Sequence, residues 1–215
     1  MRLIIYDLDG TLVDTLQDIT NAANHMLQSL GLPGMAAQQV RRFVGRGIRE
    51  LVRSCLNTDD APRLDAALKT YRAFYAQHML DHSRLYPGAR DALEHFRGRQ
   101  QAVVTNKPNP YSRQILEGLG VAGYFIEIIA GDGDYPKKPD PASVTALLRK
   151  AQADASASVL IGDSPVDVST GRRAGLVTVA LTHGLADEDE LRQAGPDVLV
   201  NDFAQLLDVA RRHEW

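Results

Sequence analysis

The sequence predicts an α/β fold: a doubly wound, mostly parallel Rossmann-like sheet with an inserted all-helical cap domain. Three observations carry that expectation. Apolar runs of strand length alternate with helix-length stretches from about Pro87 to the end. A nearly all-helical segment interrupts the alternation after the first strand. Polar residues gather directly behind the strands, where open α/β sheets place their chemistry.

Taken in order, Arg2-Leu3-Ile4-Ile5-Tyr6 is a short apolar run of the kind that forms a buried parallel strand. Leu16, Ile19, Ala23, Met26, Leu27 and Leu30 then recur at helical spacing until Gly31-Leu32-Pro33-Gly34 stops them. Val40 to Leu56 predicts a second helical region, broken at Gly45-Arg46-Gly47, and Leu64 to Met79 a third, with Leu68, Tyr71, Phe74 and Tyr75 toward an apolar seam. The expected division is a catalytic core over residues 1–15 and 86–215 and a helical cap over 16–85. Within the core, helices are expected from Pro87 to Phe96, with proline in the first turn, from Tyr111 to Leu119, Ala142 to Ala151, Val166 to Ala174 and Phe203 to Arg211. Strands are expected at 102–104, 125–130, 159–161, 177–181 and 198–200, joined by right-handed crossovers.

The first strand ends in Asp7-Leu8-Asp9-Gly10-Thr11. Two close carboxylates in an apolar setting need a cation or a shared proton, so the pair points to a hard divalent metal, one acid as nucleophile and the other as proton carrier. Gly10 permits a tight turn that aims backbone N–H groups, with Thr11 beside it, at an anion. The later strands are followed by Thr105-Asn106-Lys107, by Lys137-Lys138-Pro139-Asp140-Pro141, and by Gly162-Asp163-Ser164 with Asp167 four residues past Asp163. One rim would then collect four aspartates, a hydroxyl, an amide and one or two lysines. Carboxylates suit octahedral Mg²⁺. A transferring phosphoryl group needs cationic or hydrogen-bonding partners for its oxygens, and an aspartate can attack phosphorus. Each residue alone has a plainer reading: Thr105 as a helix cap, Lys138 as a solvated charge, Asp167 as a first-turn acid favoured by the helix dipole. Their convergence on one rim favours the chemical one.

A formal net charge of -3 over 215 residues argues against a nucleic-acid surface, which is normally basic. No apolar run approaches the ~20 residues of a membrane span, and the N-terminus lacks a signal-peptide pattern. The single cysteine, Cys55, forms no intrachain disulfide, so cytoplasmic residence is expected. The expected partner is a small phosphorylated metabolite; the oligomeric state, monomer or homodimer, is left open.

These residues resemble the four signature motifs of the haloacid dehalogenase superfamily, and within it the phosphoglycolate phosphatase group, whose second motif Thr105-Asn106-Lys107-Pro108 fits. The resemblance implies a Mg²⁺-dependent phosphatase for a small phosphomonoester, 2-phosphoglycolate first, acting through an aspartyl-phosphate. It implies Asp7 as nucleophile, Asp9 as acid and then base, Thr105 and Asn106 as phosphoryl holders, and Lys138 as the neutralising cation. It also implies Asp7, the Asp9 carbonyl, Asp163 and Asp167 around the metal. Gly45, Arg46 and Gly47 fail as a dinucleotide fingerprint and are either a helix breaker or a substrate-reading loop, with the Arg46 guanidinium on a carboxylate or second phosphate. Alternatives are a phosphomutase of the same fold, or a phosphatase acting on another ester, a nucleotide or pyrophosphate. A phosphonatase lacks a distinctive cap lysine beyond Lys69. Dehalogenation has no leaving alcohol for Asp9 to protonate, and a non-catalytic scaffold would not need both acids. His78 and His82 read as solvated or packing residues, Cys55 as core, and His183 as a turn.

Overall fold

The computed structural model describes all residues, 1–215. Six parallel strands form the main sheet: β1 (Leu3–Tyr6), β4 (Gln100–Val104), β5 (Glu127–Ile129), β6 (Ser158–Gly162), β7 (Val177–Leu181) and β8 (Val198–Val200), in the order β5-β4-β1-β6-β7-β8. Every pairing is parallel, including Ile5 opposite Ala102 on one side and Leu160 on the other. The chain builds outward from β1 through β4 to β5 and then returns to lay β6 on the other side of β1. The winding therefore reverses between β1 and β6, the point where doubly wound sheets leave a crevice.

Alternation along β1 explains the two layers. Leu3 and Ile5 join a cluster with Val144 and Leu147 of α7 (Ala142–Ala151). Ile4 and Tyr6 face the opposite cluster, with Ala92 and Leu93 of α5 (Ala89–His95) and Phe203 and Leu206 of α10 (Phe203–Arg212). All four β1 residues are fully buried, and each apolar side chain so placed contributes about 1.5–3 kcal/mol. Tyr6 brings a phenol into that layer, and its hydroxyl donates to Gln101 Oε1 at 3.1 Å. The remaining core helices, α6 (Tyr111–Gly118), α8 (Pro165–Ala174) and α9 (Glu188–Ala194), complete the crossovers.

Between β1 and α5 lie four helices: α1 (Leu16–Ser29), α2 (Ala37–Arg41), α3 (Ile48–Leu56) and α4 (Ala61–His78). The α1 positions Ile19, Ala23, Met26 and Leu27 are buried, as are Leu64, Leu68, Tyr71 and Tyr75 of α4 and Cys55 of α3. Phe74 is only partly buried, stacked between His25 at 4.3 Å and His78 at 4.1 Å. This helical segment leaves and rejoins the core through a two-stranded antiparallel ribbon, β2 (Val13–Asp14) and β3 (Arg84–Leu85), with Asp14 opposite Arg84.

Beside the ribbon, Asp18 is a hub. Its buried carboxylate accepts the His82 N–H at 3.0 Å, the Ser83 N–H at 2.7 Å and the Ser83 hydroxyl at 2.8 Å, and lies 2.9 Å from His82 Nδ1. Asp18→Ala strands these donors, so we expect a loss of about 3 kcal/mol and a melting temperature lower by roughly 6–12 °C. A melting curve superimposable on wild type would show that the hub contributes nothing net.

Candidate active site

The loop after β1 turns at Gly10, where φ is +85° and any Cβ would collide with the Asp163 carboxylate and Leu185. This glycine is required both by its left-handed backbone and by the closeness of its neighbours. The turn brings Asp7 to the β1/β6 crevice. Asp163, behind β6, and Asp167, in the first turn of α8, arrive from the other side. One carboxylate oxygen from each of the three lies within 4.8 Å of the others, and all three residues are buried.

Lys138 Nζ sits between two of these acids, 2.8 Å from Asp7 Oδ1 and 2.6 Å from Asp167 Oδ1. Burial works against its charge, but the Asp167 and Asp7 carboxylates outweigh that and hold the ammonium above its ordinary range. Asp167 Oδ2 accepts from the Ser164 hydroxyl at 2.5 Å, so both oxygens of Asp167 are engaged. Asp163 accepts from the Thr11 hydroxyl and the Leu185 N–H, each at 2.7 Å. Asp7 differs: no hydroxyl or backbone N–H reaches its Oδ1, which has the Lys138 ammonium at 2.8 Å.

The acids outnumber their cation. Burial, then the charge of Asp167, pushes the Asp7 carboxyl up to about 6 against the opposing pull of Lys138. Burial, then Asp167 and Asp7, pushes Asp163 up to about 8. Three buried carboxylates within 4.8 Å of one another, an oxygen-only donor set with more negative charge than Lys138 balances, fit a hard divalent cation such as Mg²⁺.

Asp9 points away from this trio. Its Oδ1 accepts from the Thr15 hydroxyl at 2.6 Å and from Lys107 Nζ at 2.8 Å. Thr105, behind β4, accepts the Lys107 N–H at 3.1 Å, which leaves its own O–H free to donate. Asp7, Asp9, Thr105, Asn106 and Lys107 line a cavity of about 30 Å³ whose other wall includes Val44, Gly45, Gly47, Ile48 and Leu51. The site therefore lies between the sheet rim and the helical segment.

A profile of the haloacid dehalogenase-like hydrolases matches residues 4–181, from β1 through β7. The chain belongs to this family. Among curated relatives, a phosphoglycolate phosphatase of Vibrio parahaemolyticus is 35% identical, covering 97% of this chain and 96% of the relative. One of Chromobacterium violaceum is 34% identical, covering 98% and 97%. Among solved structures, a predicted phosphoglycolate phosphatase of Haemophilus somnus superposes with a TM-score of 0.93 at 29% identity, over 98% of both chains.

In this haloacid dehalogenase-like hydrolase, Asn106 is a clasp. Its Nδ2 donates to the Gly45 carbonyl at 2.8 Å and the Lys138 carbonyl at 3.1 Å, and its Oδ1 accepts the Lys138 N–H at 2.9 Å. The side chain thus ties the helical segment to two core loops. Gly45 and Gly47 line the cavity, whereas Arg46 between them is exposed and not part of its wall. At Gly47 the backbone takes φ +92°, a left-handed conformation that explains the glycine.

Two arginine and lysine contacts escape sequence reasoning. Arg41 of α2 donates to the carbonyls of Leu185 at 2.5 Å and Ala186 at 3.1 Å, gripping the loop whose Leu185 N–H holds Asp163. Lys107 turns inward. His183 lies in the turn after β7, as expected, and its ring stacks on Tyr86 at 4.1 Å with Nε2 3.2 Å from the Thr11 carbonyl. His78 pairs with Asp81 and His82 with Asp18, so their i,i+4 spacing makes no metal pair.

Proposed function

We propose that this hydrolase is a Mg²⁺-dependent phosphatase of small phosphomonoesters, with 2-phosphoglycolate the foremost substrate, working through an aspartyl-phosphate on Asp7. The observation that carries the reading is the buried Asp7 carboxylate, within reach of the Lys138 ammonium at 2.8 Å and clustered with two further buried acids. The names of the relatives support the substrate.

Asp7 attacks phosphorus, forming an acyl-phosphate bond as the ester P–O bond breaks, while Asp9 gives its proton to the leaving oxygen. Asp9 then takes a proton from water as that water attacks phosphorus. Phosphate departs and the Asp7 carboxylate is restored. The free Thr105 O–H donates to a phosphoryl oxygen. Lys138, held by Asp167, offsets charge at Asp7. Asp7, Asp163 and the Asp9 carbonyl would hold Mg²⁺, with Asp167 outside them; when bound, the ion neutralises charge on the phosphoryl oxygens. Residues 16–85 act as a cap domain over the core of 1–15 and 86–215, and Gly45 and Gly47 shape its floor. No helix is long and apolar enough to cross a membrane, and we place the activity in the cytoplasm.

Phosphate release from a panel of esters, with Mg²⁺ or with chelator, tests the reading. The expected result is Mg²⁺-dependent release, greatest for 2-phosphoglycolate. Release from a sugar phosphate only when a bisphosphate is added, with isomer formation, would identify a mutase instead. No release from any ester would overturn the proposal.

A further inference from the structure

Lys107 has no assigned part in the chemistry above, yet it is placed where a leaving group must lie. Its side chain is only 4% exposed. Nζ lies 2.8 Å from Asp9 Oδ1 and 4.8 Å from the centroid of the Tyr75 ring. An ammonium has three N–H donors, and here a single acceptor, Asp9, receives one of them. The aromatic face below offers a cation–π contact but no lone pair. A buried cation with unused donors is suited to an anionic ligand.

The cavity wall sharpens this. Lys107 is the only cationic residue lining it, and the facing surface is largely apolar, with Val44, Ile48 and Leu51. Lys138 lies on the phosphoryl side, between Asp7 and Asp167, and Arg46 is exposed outside the wall. A carboxylate entering this small space would lose its water and find one fixed counter-charge.

Distances then select the kind of leaving group. If Asp9 delivers the proton, the ester oxygen lies against its carboxyl. In an ester whose alcohol carbon bears a carboxylate, a carboxylate oxygen lies about 3 Å from the ester oxygen by ordinary bond lengths. A cation 2.8 Å from Asp9 Oδ1 is therefore one hydrogen bond from that carboxylate. A sugar or nucleoside leaving group would put only hydroxyl or carbon there.

We propose that Lys107 is the specificity residue of this site, recognising a carboxylate on the carbon that bears the phosphate ester. The inference rests on the phosphatase reading above and deepens it. It moves substrate recognition from the cap arginine to a core lysine two residues past Thr105.

The test compares kcat/KM for 2-phosphoglycolate with that for 2-hydroxyethyl phosphate, an uncharged ester of matching size, in wild type, Lys107→Met and Lys107→Arg. Loss of the cation beside Asp9 lowers both rates in the Met variant, so the readout is their ratio. The preference for phosphoglycolate is expected to fall about 10- to 100-fold, the worth of a hydrogen bond to a charged group, mainly through KM, and Arg is expected to restore part of it. Equal losses on both esters, or an unchanged preference in both variants, would overturn the assignment and leave the phosphatase reading intact. A wild type that hydrolyses neither ester nor any other would instead overturn that reading. Should the Met variant melt well below wild type, Lys107→Arg and Lys107→Gln carry the same comparison.

Discussion

Asp7→Asn will leave a folded protein whose turnover of phosphate esters is at least about 10³-fold slower than wild type, because an amide cannot form the acyl-phosphate. The substitution is nearly isosteric and removes one of three crowded acids, so the fold has no reason to weaken. Lys138 gives up its 2.8 Å ion pair with Asp7 but keeps its 2.6 Å partner in Asp167, and no hydroxyl or backbone N–H is stranded at the Asp7 Oδ1. Steady-state phosphate release, read alongside a thermal melt, makes the measurement. A melting temperature equal to wild type with more than about 1% of its rate would rule out Asp7 as the nucleophile. The same preparations, quenched in acid after mixing with radiolabelled ester, will show label on wild-type protein and none on the variant.

Chelation and Asp163→Asn will move stability in opposite directions. Wild-type protein stripped with EDTA will gain roughly 5–10 °C on adding Mg²⁺ to about 100 times its dissociation constant, the shift expected for ligand linkage in a chain of this size. Asp163→Asn will lose that gain, yet in EDTA it will melt above wild type. The sign follows from the Asp163 carboxyl, whose pKa burial first, then Asp167 and Asp7, raise to about 8. An acid raised in the folded state costs stability at every pH above its unfolded value, since the fold must hold a buried charge or take up a proton. Asparagine does neither. It also keeps both bonds: its carbonyl accepts the Leu185 N–H, and the Thr11 hydroxyl, now donor to Asp163, turns to accept from the amide. Scanning fluorimetry of both proteins with and without Mg²⁺ suffices. A full Mg²⁺ shift in the variant would remove Asp163 from the metal site.

Much of the sheet could be read in advance because its central strands, β1 and β6, are buried along their whole length. Apolar runs such as Leu3–Tyr6 and Ser158–Gly162 are conspicuous when bounded by Asp7 and Asp163. The rim was legible for the same reason, since acids after buried strands have no packing role. Strand β5 is shorter than the expected 125–130, running only Glu127–Ile129; it is an edge strand paired with β4 alone, and Ile126 is exposed. The ribbon of β2 and β3 has two residues per strand, too few to show a period. Helix α9 escaped because only Leu191 of its seven residues is buried, which leaves no apolar stripe. Lysine and arginine conceal most. Nothing in Lys107 or Arg41 as letters separates an inward side chain from a solvated one; that depends on Asp9 and on the Leu185 carbonyl, 98 and 144 residues away.

The ribbon has one more implication. Since Asp14 and Arg84 are paired across it, everything between Thr15 and Ser83 departs and returns through adjoining backbone, as a cassette plugged into a two-pin socket. Replacing that cassette would leave the sheet and its acids joined by the same short seam, with little change in loop-closure entropy. A different helical segment can thus be grafted over the same sheet rim, changing the far wall of the cavity while Asp7, Asp163, Asp167 and Lys138 stay where they are.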